Sequence, residues 1–174
     1  MILMRLIIYM KVVNKQRNSK MCIICGMDNE LGVKAQFYEM ADNTLCSLFM
    51  FKDVHQSYPG RVHGGMITAM LDEMAARVYW IIDPLQMVVT TNLTTKFRKP
   101  VPYNEKLYAV AKITKKANRY FESECYIKNI KHEILAEASV RYLMLPSEQI
   151  SSANYHEEMP YIIKDDIIEI NVGD

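Results

Sequence analysis

The sequence predicts an α+β domain, with one long apolar helix set among five or six antiparallel strands. Three observations predict it. Residues 64–80 carry Met66, Ile67, Met70, Leu71, Met74, Ala75 and Val78 at spacings of three and four, which gives one helix a broad apolar face. Residues 87–97 (MVVTTNLTTKF) are rich in β-branched side chains, which pack well on a pleated sheet. Residues 106–114, 119–128 and 133–145 are long and separated only by the polar turns Lys115–Asn118 and Asn129–His132, so adjacent antiparallel pairing is the economical arrangement.

In chain order, residues 1–20 form an N-terminal extension. Arg5 interrupts its apolar run and Lys11 ends it, so the stretch is too short to span a membrane. It also lacks the early basic residues and later small residues of a cleavable export signal. It reads as an added strand or helix, or as a product of start-codon choice, since Met10 and Met21 are alternative starts. The main domain is expected over 21–146. Residues 31–51 read as a hairpin about Ala41-Asp42-Asn43, and a loop containing Tyr58-Pro59-Gly60 leads into the helix. Asp83-Pro84 ends that helix. The tail 147–174 is polar, then apolar again at Tyr161–Ile170, and reads as an extra strand or helix. A helix this apolar needs cover on more than one side, which a sheet curved around it would provide.

Composition narrows the function classes. The chain has 174 residues, half of them hydrophobic and 24% charged, which suits one domain with a sizeable core. A net charge of +1 gives no global basic field for nucleic acid. Four cysteines (Cys22, Cys25, Cys46 and Cys125) without an export signal point to a reducing compartment, so a cytoplasmic protein with free thiols is expected.

The segment RVHGGMITAMLDEMAARVYW carries the chemistry. Gly64 and Gly65 are a poor choice for helix stability, each costing roughly 0.5–1 kcal/mol against alanine. They permit close approach of a ligand to the unpaired N–H groups of the first turn, which favour an anion or a polarised carbonyl oxygen. A tightly packed glycine turn is the plainer alternative. Asp72 lies on the helix side that also bears Gly65, Thr68, Ala76 and Tyr79. On a solvated side it is a surface acid, beside an ordinary Glu73–Arg77 pair. On a wrapped side it is a carboxylate in need of partners, and a candidate base or nucleophile. His63 and Asp72 are separated by nine residues, a helical rise of about 13 Å, so one chain cannot bring them within hydrogen-bond reach. If both serve one site, they come from different subunits.

These residues resemble the motif of the PaaI-like hotdog thioesterases, in which His-Gly-Gly is followed, nine positions after the His, by Asp or Glu. The resemblance covers roughly Cys22 to Leu145. MCIICGMDNELGVKAQFY resembles the Cys-rich opening of one subgroup, HQSYPGRVHGG its pre-helix loop, and TTKFRKPVPYNEKL with LAEASVRYLML its closing strands. The resemblance implies a hotdog fold, a sheet wrapped around the central helix, in homodimers that can pair into homotetramers. It implies hydrolysis of an acyl-CoA or acyl-carrier-protein thioester at sites on the dimer interface. No separate cofactor or metal is implied, coenzyme A being part of the substrate, and neither nucleic acid nor membrane is an expected partner. The Gly64 N–H would polarise the thioester carbonyl, and Asp72 of the partner subunit would attack directly or activate water. His63 would then be a positioning residue. Thr90 stands where other members have a Ser or Thr that positions the attacking water. Ser57 stands where some have Asn, and the adjacent Gln56 is an alternative group for orienting water or the carbonyl. Glu30 replaces a usual Pro.

Weaker signals each have a plain reading. Cys22-x-x-Cys25 is half of a zinc site with no second pair at metal spacing, so structural thiols are expected. Lys96, Arg98 and Lys99, with Lys115, Lys116 and Arg119, form either a solvated surface or a dock for the phosphates of CoA beside Gly65. His55, His132 and His156 are expected at the surface. A non-catalytic acyl-CoA-binding hotdog module is the alternative function, and an acid at position 72 favours the enzyme over it. A hotdog dehydratase fits less well, because those members place His and the acid in a different motif.

Overall fold

The computed structural model describes residues 9–151 and 155–173. Eight strands lie within them, in one open antiparallel sheet ordered β4-β7-β6-β5-β3-β2-β1-β8. The strands are β1 (Tyr9–Lys15), β2 (Gln36–Met40), β3 (Leu45–Phe49), β4 (Met87–Phe97), β5 (Leu107–Lys116), β6 (Tyr120–Asn129), β7 (Ile134–Leu145) and β8 (Glu169–Asn171). The helix α1 (Gly64–Arg77) continues into a 3-10 turn over Val78–Ile81, so the predicted span 64–80 is occupied, with its last turn tightened.

The β2–β3 hairpin turns where expected. Asn43 adopts a left-handed conformation (φ 63°) and the Asp42 carboxylate accepts the Thr44 N–H at 3.0 Å, a local geometry that Asp and Asn side chains favour. β5, β6 and β7 pair in sequence order. The crossover through α1 carries the chain from β3 to the far edge, where β4 pairs with β7 along nearly its whole length.

α1 packs across one face of β3 through β7. Its buried residues Ile67, Met70, Leu71, Met74 and Ala75 meet Leu45, Ala109, Ala111, Phe121, Cys125, Ile127, Val140 and Tyr142 in one core. β6 shows why the sheet has two characters. Phe121, Ser123, Cys125 and Ile127 are buried in strict alternation with half-exposed neighbours, as a strand covered fully on one face requires.

Two strands lie outside the main pattern of five or six, in the extension and the tail that each read as an added strand or helix. β1, within the segment read as an extension, pairs with β2, and β8 from the tail pairs with β1. They have a physical reason. Tyr38, Met40, Cys46 and Tyr108 point away from the helix and form a second apolar cluster, which Ile167, Ile170 and Val172 of the tail cover. Lys15 also pairs with Asp165, which accepts from the Tyr38 hydroxyl at 2.8 Å. Residues 1–8 of the extension lie outside the described residues. No helix among the described residues is long and apolar enough to cross a membrane.

Candidate active site

His63 caps α1. Its backbone is extended (φ −64°, ψ 134°), its Nδ1 accepts the Gly65 N–H at 2.9 Å, and its carbonyl accepts from Met66 at 3.0 Å and Ile67 at 3.1 Å. The Gly64 N–H makes no hydrogen bond among the described residues. It is therefore an orphan donor at the positive end of the helix dipole. A Cβ on Gly64 would stand 3.4 Å from the tip of the Phe97 ring, and Phe97 is 56% exposed. The glycine thus keeps the approach to its N–H narrow but open.

The loop before the helix is held by His55. This residue is 4% exposed, which overturns its expected surface placement. Its Nδ1 accepts the Lys52 N–H at 3.0 Å and its Nε2 lies 2.7 Å from the Leu31 carbonyl. A carbonyl only accepts, so the proton sits on Nε2. The His55 carbonyl in turn accepts the His63 N–H at 2.8 Å, fixing the cap. His132 is half-buried against Tyr108, again away from open solvent. The His156 side chain lies outside the described residues.

Asp72 sits about two and a half turns further along α1 and is half-buried. Its Oδ1 accepts from Thr90 Oγ1 at 2.9 Å and from the Tyr142 hydroxyl at 2.8 Å. The same hydroxyl lies 2.7 Å from the Asp72 carbonyl. Thr90 and Tyr142 face each other directly across β4 and β7. Immediately beyond them the register shifts between Thr90 and Asn92, a bulge whose extra residue, Thr91, ties its hydroxyl to the Arg141 carbonyl at 3.0 Å. A bulge bends and twists a strand locally, which here turns Thr90 onto the helix. Thr68 Oγ1 meets Thr95 Oγ1 at 3.3 Å one turn nearer the N-terminus. The helix side bearing Thr68 and Asp72 therefore faces β4, and the surface-acid alternative does not hold.

Tyr142 is 1% exposed. Burial, then the adjacent Asp72 charge, push its phenol far above the ordinary range. It stays a protonated donor that fixes one oxygen of Asp72. Oδ2 makes no hydrogen bond among the described residues and is left available for chemistry. Sequence reasoning missed Tyr142. The one available signal was a tyrosine at an inward position of β7, since a buried tyrosine needs a partner for its hydroxyl.

The remaining candidates divide. Gln56 and Ser57 are exposed in the loop before the helix. Gln56 bridges to Val62, and the Ser57 N–H donates to the Arg61 carbonyl at 2.9 Å. They join His63 and Gly64 at one end, while Thr90 joins Asp72 at the other, so a single subunit does not assemble all six. The six cations also divide. Lys96, Arg98 and Lys99 lie at and just beyond the end of β4 beside Phe97 and Gly64, whereas Lys115, Lys116 and Arg119 lie toward the opposite end of the sheet, about 20 Å away along the strands. The near set is already paired. Arg98 and Lys96 reach Glu137 at 2.6 and 3.8 Å, and Lys99 reaches Glu133 at 2.6 Å. These contacts hold both carboxylates below the usual range.

Glu73 and Arg77 do form the expected i,i+4 pair, at 2.6 Å, but not on the surface. Arg77 is 2% exposed and lies between the rings of Phe37 (4.2 Å) and Trp80 (4.4 Å). Its guanidinium and Glu73 reach the Cys22/Cys25 pair.

The thioesterase superfamily model matches residues 59–136, from the pre-helix loop through the start of β7. The acyl-coenzyme A thioesterase THEM4 of Xenopus laevis is 29% identical over 112 residues, 63% of this chain and 49% of that protein. The mouse protein of the same name is 28% identical over 66% of this chain and 49% of its own length. The chain thus spans about half the length of the curated relatives it matches. Among solved structures, the Escherichia coli PaaI protein from the phenylacetic acid degradation operon superposes with a TM-score of 0.58 at 15% identity, over 66% of this chain and 81% of that one. At that identity the likeness speaks to the fold alone. With its one central helix and its open antiparallel sheet, this chain has the hotdog fold, and its residues 59–136 are similar to the thioesterase superfamily.

Proposed function

We propose that the protein hydrolyses an acyl thioester of coenzyme A, or of an acyl carrier protein, at the interface of a homodimer. The observation that carries this reading is the Asp72 carboxylate, held at Oδ1 by Thr90 and Tyr142 with Oδ2 unengaged, on the same helix as an unpaired Gly64 N–H. A pure binder of acyl-CoA has no need of an acid held in this way. The two groups lie at separate points along one helix, so a second copy must complete each site. β4 supports that assembly. It is an eleven-residue edge strand with one side unpaired, bearing exposed Thr90, Thr91, Asn92, Thr94 and Phe97, and long bare edges favour pairing. Two open grooves on the single subunit, of about 700 and 460 Å³, are lined by neither Asp72 nor Gly64.

In this reading the thioester carbonyl oxygen accepts from the Gly64 N–H, aided by the helix dipole. Oδ2 of the partner subunit's Asp72 removes a proton from water as the oxygen adds to the carbonyl carbon, or adds directly to give an anhydride that water then opens. The carbonyl becomes an oxyanion at Gly64, where a preorganised donor contributes roughly 3–4 kcal/mol. The oxyanion collapses, the C–S bond breaks and the thiolate leaves. A thiolate's pKa of about 8.5 makes it a good leaving group that needs no strong acid. The products are a carboxylate and a free thiol. His63 positions the helix end, and Lys96, Arg98 and Lys99 offer charge to the phosphates of the carrier by exchanging their partners Glu133 and Glu137.

The test is thiol release from short, medium, long and aromatic acyl-CoAs by the wild type and by Asp72→Asn. Turnover that drops at least a hundredfold in the variant is expected. No turnover on any ester, with acyl-CoA binding that the substitution does not change, would identify a binding module instead.

A further inference from the structure

The loop that follows β1 brings two thiols to the far side of α1 from Thr90. Cys22 and Cys25 sit in a tight turn whose backbone is organised around sulfur. Cys22 Sγ accepts the N–H groups of Ile24 at 3.3 Å and Cys25 at 3.5 Å, and the Gly26 N–H donates to the Cys22 carbonyl at 2.8 Å. Gly26 is obligatory, because a Cβ there would stand 2.4 Å from the Cys22 carbonyl oxygen. Two N–H groups aimed at one sulfur favour the thiolate, the form that ligates metals. The turn is anchored from behind by Asn18, whose Nδ2 donates to the carbonyls of Cys25 at 2.8 Å and Ala35 at 2.7 Å.

The helix supplies a third group. Arg77 Nε holds Oε1 of Glu73 at 2.6 Å, which turns Oε2 toward Cys22 Sγ at 3.9 Å. The two sulfurs and the carboxylate oxygen all lie within 4.8 Å of one another. In a tetrahedral zinc site, metal–sulfur bonds of about 2.3 Å and metal–oxygen bonds of about 2.1 Å set ligand atoms roughly 3.5–3.8 Å apart. The observed spacing needs only small side-chain adjustments to reach that.

We propose that Cys22, Cys25 and Glu73 form a structural site for a zinc-like divalent cation, which fastens the loop after β1 to the central helix. The charges close. Two thiolates and one carboxylate carry three negative charges, and the Arg77 guanidinium, 3.0 Å from Cys25 Sγ, carries one positive charge. A divalent cation supplies the remaining two. Arg77 then serves as an outer partner that orients Glu73 and donates to a ligating sulfur, the role such groups have around metal sites. Two sulfurs and one oxygen select zinc over magnesium or calcium. The fourth position falls to water, or to Ser19 Oγ, which is 3.2 Å from Cys25 Sγ. Cys25 is fully buried, while Cys22 is half-exposed and gives the ion an entry.

The test is cobalt titration of the reduced, chelator-treated full chain. One equivalent of Co²⁺ should produce a thiolate-to-cobalt charge-transfer band in the near ultraviolet, and one equivalent of Zn²⁺ should bleach it and raise the melting temperature. Cys22→Ser should bind at least a hundredfold more weakly and lose most of the band. Glu73→Gln should keep the band and weaken binding at least tenfold, with circular dichroism confirming that both variants fold. The absence of a stoichiometric band, or a band that survives Cys22→Ser, overturns the site. Recovery of a Cys22–Cys25 disulfide from protein whose reduced form takes up no metal also overturns it, and identifies a dithiol switch instead. The readout is metal uptake, so it stands or falls independently of thioester hydrolysis.

Discussion

Tyr142 is the residue on which the candidate site's geometry turns. Its hydroxyl reaches both the carbonyl and Oδ1 of Asp72, which locks the side chain to its own backbone turn. Tyr142→Phe should therefore lower kcat by about tenfold while leaving KM little changed, because the acid remains but loses its alignment. It should also cost about 1 kcal/mol in a denaturant titration, since the Asp72 carboxylate loses one of its two donors in a partly buried place. A fall in stability with kcat intact would make Tyr142 a purely structural residue. Asp72 was legible in the sequence because its distance from His63-Gly64-Gly65 is a local spacing. Tyr142 was not, because its role depends on the register of β4 against β7 and on the bulge at Thr91, neither of which a single chain pattern specifies. Glu73 was hidden for a related reason. An i,i+4 pair looks the same whether its arginine is solvated or, as here, stacked between Phe37 and Trp80.

At the scale of elements, the N-terminus of α1 separates stability from chemistry. His63→Ala removes the side-chain cap on Gly65 and should cost about 1 kcal/mol, a drop of about 3 °C in Tm for a chain of this length. Gly64→Pro should behave differently. Proline is well tolerated at the first helical position, and the extended backbone of His63 suits the residue before a proline. The substitution deletes one N–H that no described group uses, so Tm should hold within a few degrees. Activity should fall at least a hundredfold if that N–H receives the oxyanion. Side-chain periodicity revealed α1, the hairpin and the order of β5, β6 and β7, because each is a pattern along the chain. The place of β4 at the sheet edge depends on the crossover through α1. β1 and β8 are present because of a second apolar cluster on the opposite face, centred on Tyr38 and Tyr108. Such a cluster draws together residues more than a hundred positions apart, so no local window reveals it.

For the whole molecule, buried phenols set the alkaline limit. Burial foremost raises Tyr38, Tyr108 and Tyr142 well above the ordinary value, and raises Tyr126 to about 12. A group whose folded pKa exceeds its unfolded value contributes stability that is complete below the unfolded pKa, about 10 for tyrosine, and is lost as pH rises through the folded one. Stability should therefore be unaffected by these four up to about pH 9 and fall steadily above pH 10. Denaturant titrations at pH 8, 10 and 11, beside tyrosinate absorbance, measure it. A flat profile, or tyrosinate forming before unfolding, would contradict the burial.

In the proposed dimer, each site draws its carbonyl donor from one subunit and its acid from the other. This division is tested by mixing two inactive variants, Gly64→Pro and Asp72→Asn, under conditions that exchange subunits. In a hybrid dimer, one site combines the intact Gly64 of one chain with the intact Asp72 of the other, and the second site lacks both. Random exchange makes half the dimers hybrid with one of two sites whole, so about a quarter of wild-type activity should return. Restoration to that level is expected. Mixtures that exchange subunits, verified by mass, yet stay as inactive as either parent would contradict it.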